Sequence, residues 1–338
     1  MNLLAVETSC DETAAAVLRD GRELLSSVVA SQVDMHARFG GVVPELAARA
    51  HLDAIAPTVD EALQALPGGW EDLDAIAVTR GPGLIGSLLV GTAYAQSAAL
   101  ARGLPVVGVS HLAGHVYSAM LADPSLQPPY LALVVSGGHT DCVVLRDHGD
   151  AVRLAATRDD AVGEAFDKVA RMLGLPYPGG PAVQAAAERG DPRRFPLPRT
   201  RLEDSFSFSG LKTAVRYAVR DLGPERLDAQ GRPRDPQVVA DLAAAFQRAA
   251  VDQLVTGLEQ ALERSDTDRI AVVGGVAANE PLREAVRQRF AGLRVVIPEL
   301  RFCTDNAAMI AVAGWHRLEA AGADPPGFAV DPGLDAYS

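Results

Sequence analysis

Residues 3–20, LLAVETSCDETAAAVLRD, and residues 130–147, YLALVVSGGHTDCVVLRD, fall into register when Leu4 is set on Leu131. Ala5 then meets Ala132, Ser9 meets Ser136, Thr13 meets Thr140, and Leu18-Arg19-Asp20 meets Leu145-Arg146-Asp147. Each copy reads as an apolar strand, a tight turn of Ser, Gly and Asp, and a second apolar strand, which is the pattern of a β-hairpin. A hairpin repeated so far along one chain predicts two related lobes, each opening on such a hairpin.

The segments between and after the two copies alternate in period. Helical spacing runs from about Val43 to Leu66, a strand is expected over 73–81, a helix after the Gly81-Pro82-Gly83 turn, and a strand over 104–110. Past the second hairpin we expect helices near 160–174, 209–221 and 236–264, with a turn at YPGGP (177–181). A strand over 268–276 should then run into a helix, and 303–320 should be a strand end turning into another helix. Strands interleaved with helices define an α/β class with mixed sheets. The expected lobes are 1–110 with 306–338, and 111–305, holding a nucleotide between them.

Bulk properties remove several alternatives. A chain of 338 residues with 48% apolar and 22% charged content is a globular protein of about two domains. No basic-then-apolar leader precedes Glu7, and Cys10, Cys142 and Cys303 show no C-x-x-C spacing, so a reduced, cytoplasmic setting is expected. The stretch from Gly81 to Ala101 is uncharged and long enough to suggest a membrane span, but its glycines, Ser87, Thr92, Gln96 and Ser97 favour a closely packed buried helix. Its small residues, Gly86, Gly91 and Ala95, would let another chain approach. A net charge of −12 opposes unaided nucleic-acid binding, while Arg189, Arg193, Arg194, Arg199 and Arg201 form a local basic patch.

Three turns, TSCDET (8–13), VSGGHT (135–140) and VGGVAAN (273–279), expose backbone at a strand end, as a phosphate site requires. His111 and His115 in SHLAGH lie four apart, on one face of a helix, and suit a shared metal ion. Leu112 stands where a metalloprotease would carry its Glu. Asp305 is either a helix N-cap or a third metal ligand. Asp11 is either an Asx turn or a group in the cleft, and Asp167 is a candidate partner for a ribose hydroxyl.

Taken together, ETSCDET, GGVVPELAAR, GPGLIGSLLVG, SHLAGH, LVVSGGHT, GEAFDKVARMLGLPYPGGP, FSFSGLKT, GGVAAN and CTDNAAMIA resemble the TsaD family of tRNA threonylcarbamoyladenosine transferases, in family order from residue 7 to residue 311. The resemblance implies the two-lobed actin/sugar-kinase/Hsp70-like fold. It also implies transfer of a threonylcarbamoyl group from threonylcarbamoyl-adenylate to N6 of adenosine-37 in tRNA. It implies His111, His115 and Asp305 as ligands of Fe2+, with zinc as the alternative, and Val134, Val135, Ser136, Gly137, Gly138, Asp167, Gly180 and Asn279 as substrate contacts. TsaB is implied as direct partner and TsaE as an associated ATPase. One departure is Gln184, where many relatives have Asp. For chemistry at the exocyclic amine, Asp11 is the candidate general base.

Overall fold

The computed structural model describes residues 1–198, 202–334 and 337. The chain divides into two compact units, one comprising Met1–Pro128, Leu145–Val152 and Pro298–Ser338, the other Pro129–Val144 and Arg153–Ile297. His111–Pro128 and Pro298–Asp305 therefore pack with the first unit, not with the second lobe expected from sequence.

The first sheet holds β1 (Asn2–Glu7), β2 (Glu12–Arg19), β3 (Glu23–Ser31), β4 (Ala75–Gly81) and β5 (Val106–Ser110) in the order β3-β2-β1-β4-β5. The second holds β6 (Tyr130–Val135), β7 (Thr140–Asp147), β8 (Asp150–Thr157), β9 (Ser205–Phe206), β10 (Arg269–Val273) and β11 (Arg294–Val296) in the order β11-β10-β6-β7-β8-β9. Apart from β9, the two orders are the same when β6, β7, β8, β10 and β11 replace β1, β2, β3, β4 and β5. The repeated hairpins are thus the first two strands of a repeated five-strand unit. The duplication also reaches the parallel partners. Leu4 and Ala5 face Ile76 and Ala77, while Leu131 and Ala132 face Ile270 and Ala271.

Alternation along the strands explains how the first sheet is covered on both faces. Leu4, Val6, Ile76 and Val78 join Ile55, Val59, Ala95 and Ala99 of the helices Pro44–Leu63 and Ile85–Arg102 in one core. The intervening Ala77 lies under Gly314 of the helix Ala307–Ala321, where a Cβ would meet its methyl at 2.5 Å. Among the described residues no helix is long and apolar enough to cross a membrane.

Several elements depart from expectation. Each hairpin extends into a third strand, β3 or β8, and β9 and β11 are short additions that the pattern did not reveal. YPGGP does not remain a turn, since the helix Gly179–Ala187 begins inside it. No strand ends at 303; a 3-10 turn over Leu300–Phe302 precedes the last helix. The small residues of Ile85–Arg102 face inward. A Cβ on Gly91 would sit 2.2 Å from Thr8 Oγ1, one on Gly86 would touch Ala48, and Ala95 is buried. These positions seat the helix within its own unit.

Candidate active site

The histidine pair owes its geometry to a cap. Ser110 ends β5 and accepts a hydrogen bond from Ala113 N–H, which starts the helix His111–Tyr117 on His111 itself. One turn later His115 lies on the same face, and the two rings meet edge to face with centroids 4.8 Å apart. Gly114 between them lets this helix approach Ala307–Ala321, since a Cβ there would lie 2.7 Å from Ile310 Cδ1. The last helix is capped by Asn306, whose Oδ1 accepts from Met309 N–H at 3.0 Å. Asp305 is therefore not the cap. Its Oδ1 stands 3.5 Å from His111 Nε2 and 3.3 Å from His115 Nε2.

These three side chains place one ligand atom each within 4.8 Å of the others. The fit to a cation is chemical as well as spatial. Both ring nitrogens of His115 are buried and, among the described residues, have no partner beyond the 3.3 Å approach of Asp305 to Nε2, a state that costs free energy in a folded protein unless something else coordinates them. Two imidazoles and one carboxylate, with positions left open, suit iron or zinc.

Glu7, at the end of β1, carries no sequence signal of its own and lies directly behind His111. Fully buried, it stands with Oε2 3.1 Å from His111 Nδ1, accepts the Thr79 hydroxyl at 2.6 Å, and accepts Ser9 N–H through Oε1. Ser9 Oγ also lies 3.1 Å from His111 Nδ1. A carboxylate behind an imidazole fixes the tautomer and aims the other ring nitrogen at the metal position. Burial pushes the Glu7 carboxyl up, but the charge and hydrogen bond of His111 outweigh it and the net shift is downward. Burial opposes charge on His111 too, yet Asp305 and Glu7 on either side hold its pKa well above the usual value. Burial dominates at His115, whose pKa falls.

Asp11 follows in the same β1–β2 turn, and its carbonyl accepts Gln32 N–H at 3.1 Å. His36 and His51 are buried and hydrogen-bonded within the fold: His51 reaches Thr13 Oγ1 at 2.7 Å and Cys10 O at 3.0 Å.

The second unit carries the other predicted residues. Val134 and Val135 are fully buried members of β6, so their side chains belong to the core. Ser136 N–H donates to His139 O, and Ser136 Oγ accepts from His139 N–H, which closes the turn on itself. Only the amides of Gly137 and Gly138 remain without a partner among the described residues, and nothing lies within 4 Å of where a Cβ would stand on either. Asp167, on the helix Val162–Leu173, accepts Gly179 N–H through Oδ1 at 2.7 Å, and its Oδ2 has no hydrogen-bond partner among the described residues; burial raises its pKa. Gly180 sits in the first turn of Gly179–Ala187, also with open space at its Cβ position.

Asn279 is mostly spent on the fold. It caps Glu280–Arg289 through Leu282 N–H and donates to Gln184 and Gln247. Gln184 accepts from both Asn279 and Glu280 N–H at 3.0 Å, so the residue that departs from the family pattern keeps an acceptor at that helix start without a charge.

The chain matches the TsaD family, tRNA N6-adenosine threonylcarbamoyltransferase, over residues 23–312. It is 52% identical over 320 residues to the tRNA N6-adenosine threonylcarbamoyltransferase of Gloeobacter violaceus, covering 94% of this chain and 90% of that one. It is 48% identical over 325 residues to the Bacillus subtilis protein of the same name, covering 94% and 91%. Among solved structures, HypF of T. kodakarensis is similar with a TM-score of 0.65 at 14% identity, over 95% of this chain and 48% of that one. The (R)-2-hydroxyglutaryl-CoA dehydratase component A of Acidaminococcus fermentans is similar with a TM-score of 0.52 at 15% identity, over 94% and 96%. These two likenesses concern the fold, which is the two-lobed actin-like one. By sequence, the chain belongs to the tRNA N6-adenosine threonylcarbamoyltransferase family.

Proposed function

We propose that the chain transfers the threonylcarbamoyl group of threonylcarbamoyl-adenylate to N6 of adenosine-37 in tRNAs reading codons that begin with A, releasing AMP. The observation that carries this reading is the convergence of His111, His115 and Asp305, with Glu7 behind His111, in a chain of this family. His111, His115 and Asp305 would hold a cation, Fe2+ with zinc as the alternative, which when bound would supply Lewis acidity for the acyl transfer.

The chain's own residues do the rest. The lone pair of N6 forms a bond to the carbamoyl carbon, the bond from that carbon to the AMP oxygen breaks, and the electron pair leaves with AMP. Gly137 and Gly138 amides donate to the departing phosphate, and Asp167 Oδ2 accepts from a ribose hydroxyl. Gly180 lets the nucleotide approach the helix start closely. Asp11 takes the proton that N6 gives up. Water is the competing nucleophile, and Leu112 in place of a Glu removes the group that would activate it.

Partner binding falls on the outer face of the helices Pro44–Leu63 and Ile85–Arg102. Ile85 and Leu89 are 59% and 52% exposed one turn apart, and Leu52 is 64% exposed on the adjoining helix. We assign this apolar stripe to TsaB, with TsaE joining the assembly, in the cytoplasm where tRNA is modified. The test incubates the full chain with its companion proteins, threonine, bicarbonate, ATP and unmodified tRNA, then analyses the nucleosides. Threonylcarbamoyladenosine is expected from wild type and not from His111→Ala. An assembled wild-type complex that leaves tRNA unmodified overturns the reading.

A further inference from the structure

The second unit contains a groove of about 480 Å³ that takes no part in the site above. Its walls carry four arginines from three segments: Arg171 on Val162–Leu173, Arg216 and Arg220 one turn apart on Ser209–Arg220, and Arg232 in the loop beyond, over a floor of Val219 and Leu227. Residues 216–234 hold five arginines against three carboxylates in a protein of net charge −12. The charge is unevenly used. Arg232 is fixed, with Nε donating to Asp228 and Nη2 to Gln230, and Asp228 also accepts the N–H groups of Gln230 and Arg232 that shape the loop. Among the described residues Arg220 pairs only with the neighbouring, exposed Asp221, a contact too solvated to neutralise it. Arg216 makes no ion pair among the described residues and lies over the ring of Tyr217. Tyr217 is 46% exposed and takes Arg220 over its ring as well, with the guanidinium carbon 4.6 Å from the centroid.

We propose that this groove seats the sugar–phosphate backbone of the tRNA, with Arg216 and Arg220 meeting phosphates and Tyr217 offering its face to an unstacked base. Guanidinium groups pair bidentately with phosphate oxygens, and aromatic rings flanked by arginine are platforms for single-stranded bases. The groove also adjoins the proposed nucleotide site along one helix, since Arg171 lies one turn beyond Asp167. The patch at 189–201 serves less well. Arg194 is bound to Asp241, which is only 2% exposed and also holds Asp191 N–H and Gln237, so Arg194 anchors its own loop. Arg199 and Arg201 lie outside the described residues.

This assignment rests on tRNA being the substrate, and its test separates the two. Binding of an unmodified tRNA transcript to the full chain with its companion proteins is measured across a salt series for wild type, Arg216→Glu/Arg220→Glu and Arg216→Ala/Arg220→Ala. Both variants should melt as wild type does, because the side chains are exposed, and should bind AMP as wild type does. The tRNA Kd is expected to rise at least about tenfold, and the slope of log K against log salt to flatten by about two for two phosphate contacts. Unchanged tRNA affinity and slope in both variants overturn the groove, whether or not wild type modifies tRNA. Loss of a companion protein with tRNA affinity retained also overturns it, in favour of an acidic protein partner. Wild type that binds tRNA through these arginines yet forms no modified nucleoside overturns the transferase reading and leaves the groove standing.

Discussion

At the buried end of β1, Glu7 accepts from Ser9 N–H and Thr79 while facing His111 Nδ1, so its carboxylate sets the ring that would present Nε2 to the proposed metal. Glu7→Gln keeps the shape and removes the charge. It is expected to weaken metal affinity roughly 10- to 100-fold, as losses behind a ligand do, while His111→Ala and His115→Ala abolish it. Metal content under chelator competition, with melting curves run alongside, checks the ranking; a Glu7→Gln protein holding metal like wild type would remove Glu7 from the site. In the second unit, a Cβ on Gly137 would meet nothing within 4 Å, so Gly137→Val is expected to keep the fold, checked by its melting curve, and to obstruct a ligand. Asp167→Ala should cost about 1–3 kcal/mol of adenylate binding by leaving a buried hydroxyl unpaired. AMP titration of both variants measures this, and unchanged affinity in each would dismiss the cradle.

Two elements carry predictions of their own. The helix Ile85–Arg102 buries Gly91 against Thr8 and exposes Leu89, so the two faces should respond differently. Leu89→Asp is expected to keep the fold and abolish TsaB binding by size-exclusion chromatography, whereas Gly91→Arg should yield misfolded protein. A folded Gly91→Arg chain would contradict the packing.

The β7–β8 turn is the other. His148 stacks on His316 with centroids 3.7 Å apart and planes 6° from parallel, and both rings stack on Tyr117. Burial, then the charges of His148 and Arg22, lower the His316 pKa to about 4; burial lowers that of His148 against the pull of Asp147. A histidine that resists protonation when folded binds fewer protons than the unfolded chain does, so its stability contribution falls as pH drops from about 6.5 towards 4. Melting temperature should decline over that window, and less steeply in His316→Phe. Identical slopes in the two proteins would refute the assignment.

Across the whole molecule, the proposed site residues divide by unit: Glu7, His111, His115 and Asp305 belong to one, Gly137, Gly138, Asp167 and Gly180 to the other. Metal should therefore slow hydrogen exchange around 7–9, 111–117 and 305–310, and AMP around 136–139 and 163–181, because a ligand stabilises the native contacts it joins. AMP protection confined to the first unit would reverse the assignment.

What the sequence determined by itself is what lies within a few residues: the paired hairpins, the alternation of strand and helix periods, and the i, i+4 spacing of His111 and His115. Local periodicity encodes these because a strand repeats every second residue and a helix every 3.6. Family motifs added the pairing of those histidines with Asp305. Tertiary structure decided which face each residue turned. Only the folded chain shows Asn306 taking the cap and freeing Asp305, Glu7 standing behind a histidine more than one hundred positions away, and Gly91 turned inward while Leu89 faces out. It also gathers Arg171, Arg216, Arg220 and Arg232 around one groove. Such convergences depend on how strands far apart in the chain are ordered in a sheet, and no short-range pattern carries that information.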